Sequence, residues 1–129
     1  MYNFAMDTLL IADDDQQILD LYQMKFTKAG FGVVMVSEAD KVLEQAKAVK
    51  PAAILLDHRL GEGDGMEIFK QIRATEQTKN IPVLLLSNQD ATAEELETIK
   101  TLGNAEYIIK EKIDLNDLVS KIKKLPLAR

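Results

Sequence analysis

Short, unbroken apolar runs alternate along this chain with longer stretches in which apolar residues recur every three or four positions. Thr8-Leu9-Leu10-Ile11-Ala12 is the first run, stopped by Asp13-Asp14-Asp15. A run this short and continuous predicts a strand buried on both faces. Over 16–29 the apolar residues Ile18, Leu21, Tyr22, Phe26 and Ala29 fall at helical spacing, with Gly30 where a left-handed C-cap belongs. Gly32-Val33-Val34-Met35-Val36 predicts a second strand. Ser37 suits the N-cap of a helix carrying Ala39, Val42, Leu43 and Ala46, which Lys50-Pro51 ends. Ala53-Ile54-Leu55-Leu56-Asp57 is a third strand that closes abruptly on a carboxylate and runs into a loop with Gly61, Gly63 and Gly65.

The second half repeats the pattern. Met66, Phe69 and Ile72 mark a third helix, and Asn80-Ile81-Pro82 separates it from a fourth strand, Val83-Leu84-Leu85-Leu86-Ser87. Thr92 with Glu95 forms a capping-box pattern, opening a helix with Leu96, Ile99 and Leu102 inward and Gly103 beyond its end. Glu106-Tyr107-Ile108-Ile109-Lys110 is the fifth strand, and Asp114 caps a last helix bearing Leu115, Leu118, Val119, Ile122 and Leu125. Only Pro126-Leu127-Ala128-Arg129 has the character of a linker. Five strand–helix alternations with short connections predict an α/β fold of three layers, a parallel sheet with helices on both faces. The expected strand order is the flavodoxin-like 2-1-3-4-5, whose switch point lies between strands 1 and 3 and whose ligands bind outside the carboxyl ends. The 129 residues are read as one domain, 1–129, with its core over 8–125.

Composition narrows the function classes. The absence of cysteine removes disulfides, thiolate metal sites and a cysteine nucleophile. A net charge of −5 argues against direct nucleic-acid binding. No apolar run approaches the roughly 20 residues that span a bilayer. The first seven residues lack the cationic start and apolar core of a signal peptide, so the expectation is a cytoplasmic chain without a membrane partner.

The candidate chemistry stands at the strand ends. Strand 1 delivers Asp13 and Asp14, strand 3 Asp57, strand 4 Ser87 and strand 5 Lys110. With strands 1 and 3 adjacent, three carboxylates converge on one crevice. Two carboxylates about 4 Å apart repel by roughly 4 kcal/mol at an effective dielectric near 20, so a proton or cation must offset them. Hard oxygen ligands in an open cleft favour Mg²⁺, which keeps waters exchangeable for a phosphate. Lys110 supplies a point charge for a phosphoryl oxygen and Ser87 a hydroxyl donor. Together they describe a phosphoryl-transfer site with Asp57 as nucleophile.

The pieces Ile11-Ala12-Asp13-Asp14-Asp15, Leu55-Leu56-Asp57, Asp64-Gly65-Met66, Pro82-Val83-Leu84-Leu85-Leu86-Ser87 and Tyr107-Ile108-Ile109-Lys110 resemble the receiver domain of two-component response regulators, in family order and spacing. The resemblance covers about 8–125. It implies that Asp57 takes a phosphoryl group from the phosphohistidine of a sensor histidine kinase or phosphotransfer protein. It implies Mg²⁺ held by Asp14, Asp57 and the backbone carbonyl of Arg59, with Asp13 assisting through water. Lys110 and Ser87 would bind the phosphoryl group, and Tyr107 would be an aromatic switch on the face of helix 4, strand 5 and helix 5. That face could also support a homodimer, through Glu94, Glu95 and Glu97 against Lys121, Lys123 and Lys124, unless these charges are only solvated.

Three positions depart from the family pattern. Glu111 replaces the usual proline after Lys110, which predicts a trans link and a rerouted loop. Gly61 replaces a proline in the loop after Asp57, which predicts a looser loop. Asn88 replaces a small residue after Ser87, where its longer polar side chain can narrow access to Asp57 or position water. His58 follows Asp57 with its side chain on the opposite face and is assigned a structural role. Two alternatives compete with a phosphoacceptor that turns over only its own phosphoryl group. One is a phosphorylation-independent docking module. The other is a small haloacid-dehalogenase-like phosphatase using Asp13 and Asp15, against which Gln17 and the short chain argue.

Overall fold

The computed structural model describes residues 7–128; the N-terminal stretch through Met6, read above for targeting features, and Arg129 lie outside them. The elements in order are β1 (Thr8–Ala12), α1 (Gln16–Lys28), β2 (Gly32–Val36), α2 (Ala39–Val49), β3 (Ala53–Asp57), the short β4 (Arg59–Leu60) and β5 (Gly63–Asp64), α3 (Gly65–Ala74), β6 (Val83–Ser87), α4 (Ala93–Leu102), β7 (Ala105–Ile109), a 3₁₀ turn over Lys110–Lys112 and α5 (Leu115–Lys123). The main sheet has five strands in the order β2-β1-β3-β6-β7, every neighbouring pair parallel. The antiparallel β4–β5 ribbon lies outside that sheet, so the five long strands follow the flavodoxin-like order 2-1-3-4-5.

The apolar runs are continuous because both faces of the sheet are covered. Strand alternation sends Leu10, Ala12, Ile54, Leu56, Val83 and Leu85 to one core, shared with Val42 and Ala46 of α2, Phe69 and Ile72 of α3 and Ile99 of α4. Leu9, Ile11, Ala53, Leu55, Leu84 and Leu86 face the other, with Leu19, Tyr22 and Phe26 of α1 and Leu118, Val119 and Ile122 of α5. Each large aliphatic or aromatic side chain buried this way contributes about 1.5–3 kcal/mol. These two packed layers hold the strand ends, and so the groups on them, in fixed relation.

Several local expectations need correction. In α1 the buried stripe is Leu19, Tyr22 and Phe26, whereas Leu21 is 43% exposed: one residue's rotation turns it off the sheet. In α4 only Ile99 is buried, and Leu96 and Leu102 remain exposed. The N-cap of α2 is Glu38, with no side-chain cap bond, since Ser37 lies one residue too far from the first turn. Strand β7 ends at Ile109, and Lys110 opens the 3₁₀ turn that replaces the end of the predicted strand. The link after Lys110 is trans, as every peptide bond among the described residues is. The tail is no linker: Leu125 and Leu127 pack on the core, and the Ala128 N–H donates to the Ala52 carbonyl at 3.0 Å.

Thr92 and Glu95 form the reciprocal box at the start of α4, and Asp114 accepts from the Asp117 N–H at 2.8 Å. Gly65 starts α3 hard against the end of β3, where any Cβ would collide with the Asp57 carbonyl oxygen and the His58 backbone.

Candidate functional site

An open cleft of about 400 Å³ lies over the carboxyl ends of the strands and is lined by Asp13, Asp14, Asp57, Arg59, Ser87, Asn88 and Lys110 among others. Neighbouring β1 and β3 bring the acids together, as Ala12 pairs with Leu56 one residue before each acid. One carboxylate oxygen from each of Asp13, Asp14 and Asp57 lies within 4.8 Å of the others. Asp13 is 2% exposed and Asp57 9%. Lys110, from beyond β7, reaches between two of them: its Nζ is 3.2 Å from Asp13 Oδ2 and 3.4 Å from Asp57 Oδ1.

The backbone completes the arrangement. The Asp15 N–H donates to Asp13 Oδ1 at 3.0 Å and the Arg59 N–H to Asp57 Oδ1 at 3.4 Å. The Gly61 N–H donates to Asp14 Oδ2 at 3.0 Å, fastening the loop after Asp57 to the first strand's acid. Gly61 adopts φ +61°, a conformation closed to proline, and presents an N–H that proline lacks. The β4–β5 ribbon pairs Arg59 with Asp64 and Leu60 with Gly63 on either side of this turn.

Burial, with Asp13 alongside, raises the Asp57 carboxyl to about 6, although Lys110 and the Arg59 N–H pull the other way. Burial lowers Lys110, but Asp57 and Asp13 outweigh it and leave the ammonium above its ordinary range. At neutral pH Asp57 is therefore mostly ionised, and it shares one ammonium with Asp13. Oxygen-only donors in a shared open cleft are a set that suits a hard divalent cation such as Mg²⁺.

Ser87, buried at the end of β6, accepts the Gln89 N–H at 3.2 Å. Tyr107 on β7 donates its hydroxyl to the Gln89 carbonyl at 2.8 Å, so serine and tyrosine hold the same loop residue. All the residues singled out in the sequence for this site thus border the cleft or the loop beside it. Asp15 also lines the cleft, but its side chain caps α1 by accepting from the Gln17 and Ile18 N–H groups at 2.9 and 3.4 Å, which disfavours pairing it with Asp13 as a phosphatase motif.

Pattern reading missed the long-range partners. Glu95, read as part of a charged helix face, lies with Oε2 2.6 Å from His58 Nε2, and Lys121 pairs with Glu106 at 2.7 Å. Two charges of the presumed complementary faces are thus engaged within the chain. The capping-box pattern flagged Glu95, but nothing in local spacing points to a partner 37 positions away.

The model of the response regulator receiver domain matches residues 9–123. Among curated proteins the chain is similar to the alkaline phosphatase synthesis transcriptional regulatory protein PhoP of Bacillus subtilis, 31% identical over 102 residues, covering 79% of this chain and 41% of that protein. The chain spans about half the length or less of the curated relatives it matches. Among solved structures the fold matches chemotaxis protein CheY4 of Vibrio cholerae with a TM-score of 0.82 at 22% identity, over 94% of this chain and 99% of that one. It also matches the receiver domain of sensor histidine kinase PA1611 from Pseudomonas aeruginosa, at TM-score 0.79 and 22% identity, over 94% and 98% of the two chains. That structure has a magnesium ion coordinated in its active-site cleft. No helix among the described residues is long and apolar enough to cross a membrane. By its family match and its fold, the chain belongs to the response regulator receiver domain family.

Proposed function

We propose that Asp57 is the phosphoacceptor, taking a phosphoryl group from the phosphohistidine of a sensor histidine kinase or phosphotransfer protein. The observation that carries this reading is the pairing of Asp57 with Lys110 at 3.4 Å, inside an open cleft that also holds two further acids. An Asp57 oxygen forms the new bond to phosphorus while the phosphorus–nitrogen bond breaks, and the departing imidazole nitrogen keeps that electron pair. The Lys110 ammonium would meet a phosphoryl oxygen, and the Ser87 hydroxyl another. Asp14, Asp57 and the Arg59 carbonyl would hold Mg²⁺, with Asp13 behind them. When bound, the ion supplies charge neutralisation at the phosphoryl oxygens.

The output follows from the loop. A Ser87 hydroxyl that turns to a phosphoryl oxygen leaves the Gln89 N–H, and the Gln89 carbonyl is the partner of Tyr107. The change therefore reaches the face of α4, β7 and α5, the surface on which a partner or a second copy would read it. The chain acts as a single domain and, beyond losing its own phosphoryl group, catalyses no turnover; a cytoplasmic setting fits its kinase donor.

Excess p-nitrophenyl phosphate and, separately, acetyl phosphate, each with Mg²⁺, test the reading. A phosphoacceptor is labelled once by acetyl phosphate and releases no sustained nitrophenol. Continued nitrophenol release would replace the reading with a phosphatase.

A further inference from the structure

His58 takes no part in the chemistry above, yet it joins the acceptor strand to α4. Its N–H donates to the Leu86 carbonyl at 2.7 Å, which continues the β3–β6 ladder one residue past Asp57. Alternation turns its side chain away from Asp57, towards the α4 side of the sheet. There Nε2 lies 2.6 Å from Glu95 Oε2, with only 13% and 21% of the two side chains exposed. The imidazole also meets the Tyr107 ring edge-on, centroids 5.7 Å apart.

Glu95 is engaged twice. Its Oε1 accepts the Thr92 N–H at 2.9 Å as half of the capping box, and Oε2 takes His58. A capping box needs only the first of these contacts. The loop between β6 and α4 is consequently pinned at both ends. Gln89, held by Ser87 and Tyr107, fixes one end, and the His58–Glu95 bond fixes the other.

We propose that the His58–Glu95 bond is a tether that holds the first turn of α4, and the loop before it, in the unphosphorylated arrangement. His58 is thus a positioning residue that opposes activation, a proposal that rests on Asp57 being the phosphoacceptor. A contact made in one state and lost in the other shifts the equilibrium by its own free energy. A phosphoryl group that draws Ser87 away from Gln89 moves one pinned end of the loop, and the movement is absorbed by releasing the other.

The test compares the wild-type chain with His58→Leu, which keeps an apolar contact for Tyr107, and His58→Gln, which returns an N–H donor near the place of Nε2. The probe is beryllofluoride with Mg²⁺, titrated by amide chemical shifts, alongside hydrogen exchange of residues 88–95 without the probe. Loss of one such bond should make His58→Leu bind the probe about fivefold tighter and exchange faster over 88–95, with His58→Gln moving both back towards wild type. Glu95→Ala, corrected for its lost cap by Thr92→Ala, should repeat the effect should His58→Leu fail to fold. Unchanged or weaker binding in His58→Leu, or no recovery in His58→Gln, overturns the tether. Failure of the wild-type chain to bind the probe at all, or binding that persists in Asp57→Asn, overturns the phosphoacceptor reading instead.

Discussion

Lys110 Nζ lies 3.4 Å from Asp57 Oδ1, and the same ammonium is 3.2 Å from Asp13 Oδ2, so one cation serves two buried acids. A carboxylate with a lysine to itself would have its ionisation favoured. Asp57 shares its lysine with Asp13 and is buried, and its carboxyl is raised to about 6. The ionised Asp57 beside Asp13 is a source of instability that a metal ion can relieve.

The first consequence is a pH dependence of stability. Because the folded carboxyl titrates above its unfolded value of 3.8, the folded chain binds more protons between about pH 4 and 6. The protonated acid's contribution is full below the unfolded value and is lost as pH rises through about 6. Asp57→Asn lacks this loss. Without Mg²⁺ it should match wild type more closely near pH 4 and exceed it in stability at pH 7 by on the order of 2 kcal/mol, with a higher melting temperature there. Thermal melts across this range check it; a constant difference would remove the repulsion from the account.

The second concerns metal. Millimolar Mg²⁺ should raise the melting temperature of wild type at pH 7, since binding to the folded state alone stabilises it by mass action. Asp14→Ala should abolish the shift. Asp14 is exposed and, among the described residues, its side chain accepts a hydrogen bond only from the Gly61 N–H, at 3.0 Å, so this substitution should cost little stability itself. A shift that persisted in the variant would move the ion elsewhere.

The third isolates the lysine. Lys110→Ala leaves Asp13 and Asp57 buried together without their cation, and breaking a buried pair in this way costs about 3–5 kcal/mol. The loss should be largest at pH 7 without metal, should shrink towards pH 4 and should be partly recovered by Mg²⁺. Denaturant midpoints in the four conditions measure it. A loss independent of pH and metal would make Lys110 a packing residue only.

The chain's alternation carried the fold because period-2 and period-3.6 patterns state which face is covered. The buried runs at 53–57 and 83–87 and the caps Thr92 and Asp114 were legible for that reason. The cluster of Asp13, Asp14, Asp57, Ser87 and Lys110 was legible too, because a parallel sheet brings its strand ends to one edge. Periodicity misleads at the edge of a buried stripe: Leu21 and Leu96 fit the helical spacing yet stay exposed. The His58–Glu95 bond and the Gly61–Asp14 bond were invisible because each joins distant residues through loop geometry that no local rule specifies.

The central claim is that Asp57 is a covalent acceptor. Intact mass after treatment with acetyl phosphate and Mg²⁺ addresses it directly. The account predicts a gain of one phosphoryl group in the wild-type chain, absent in Asp57→Asn; no gain in wild type, or an equal gain in the variant, would contradict it.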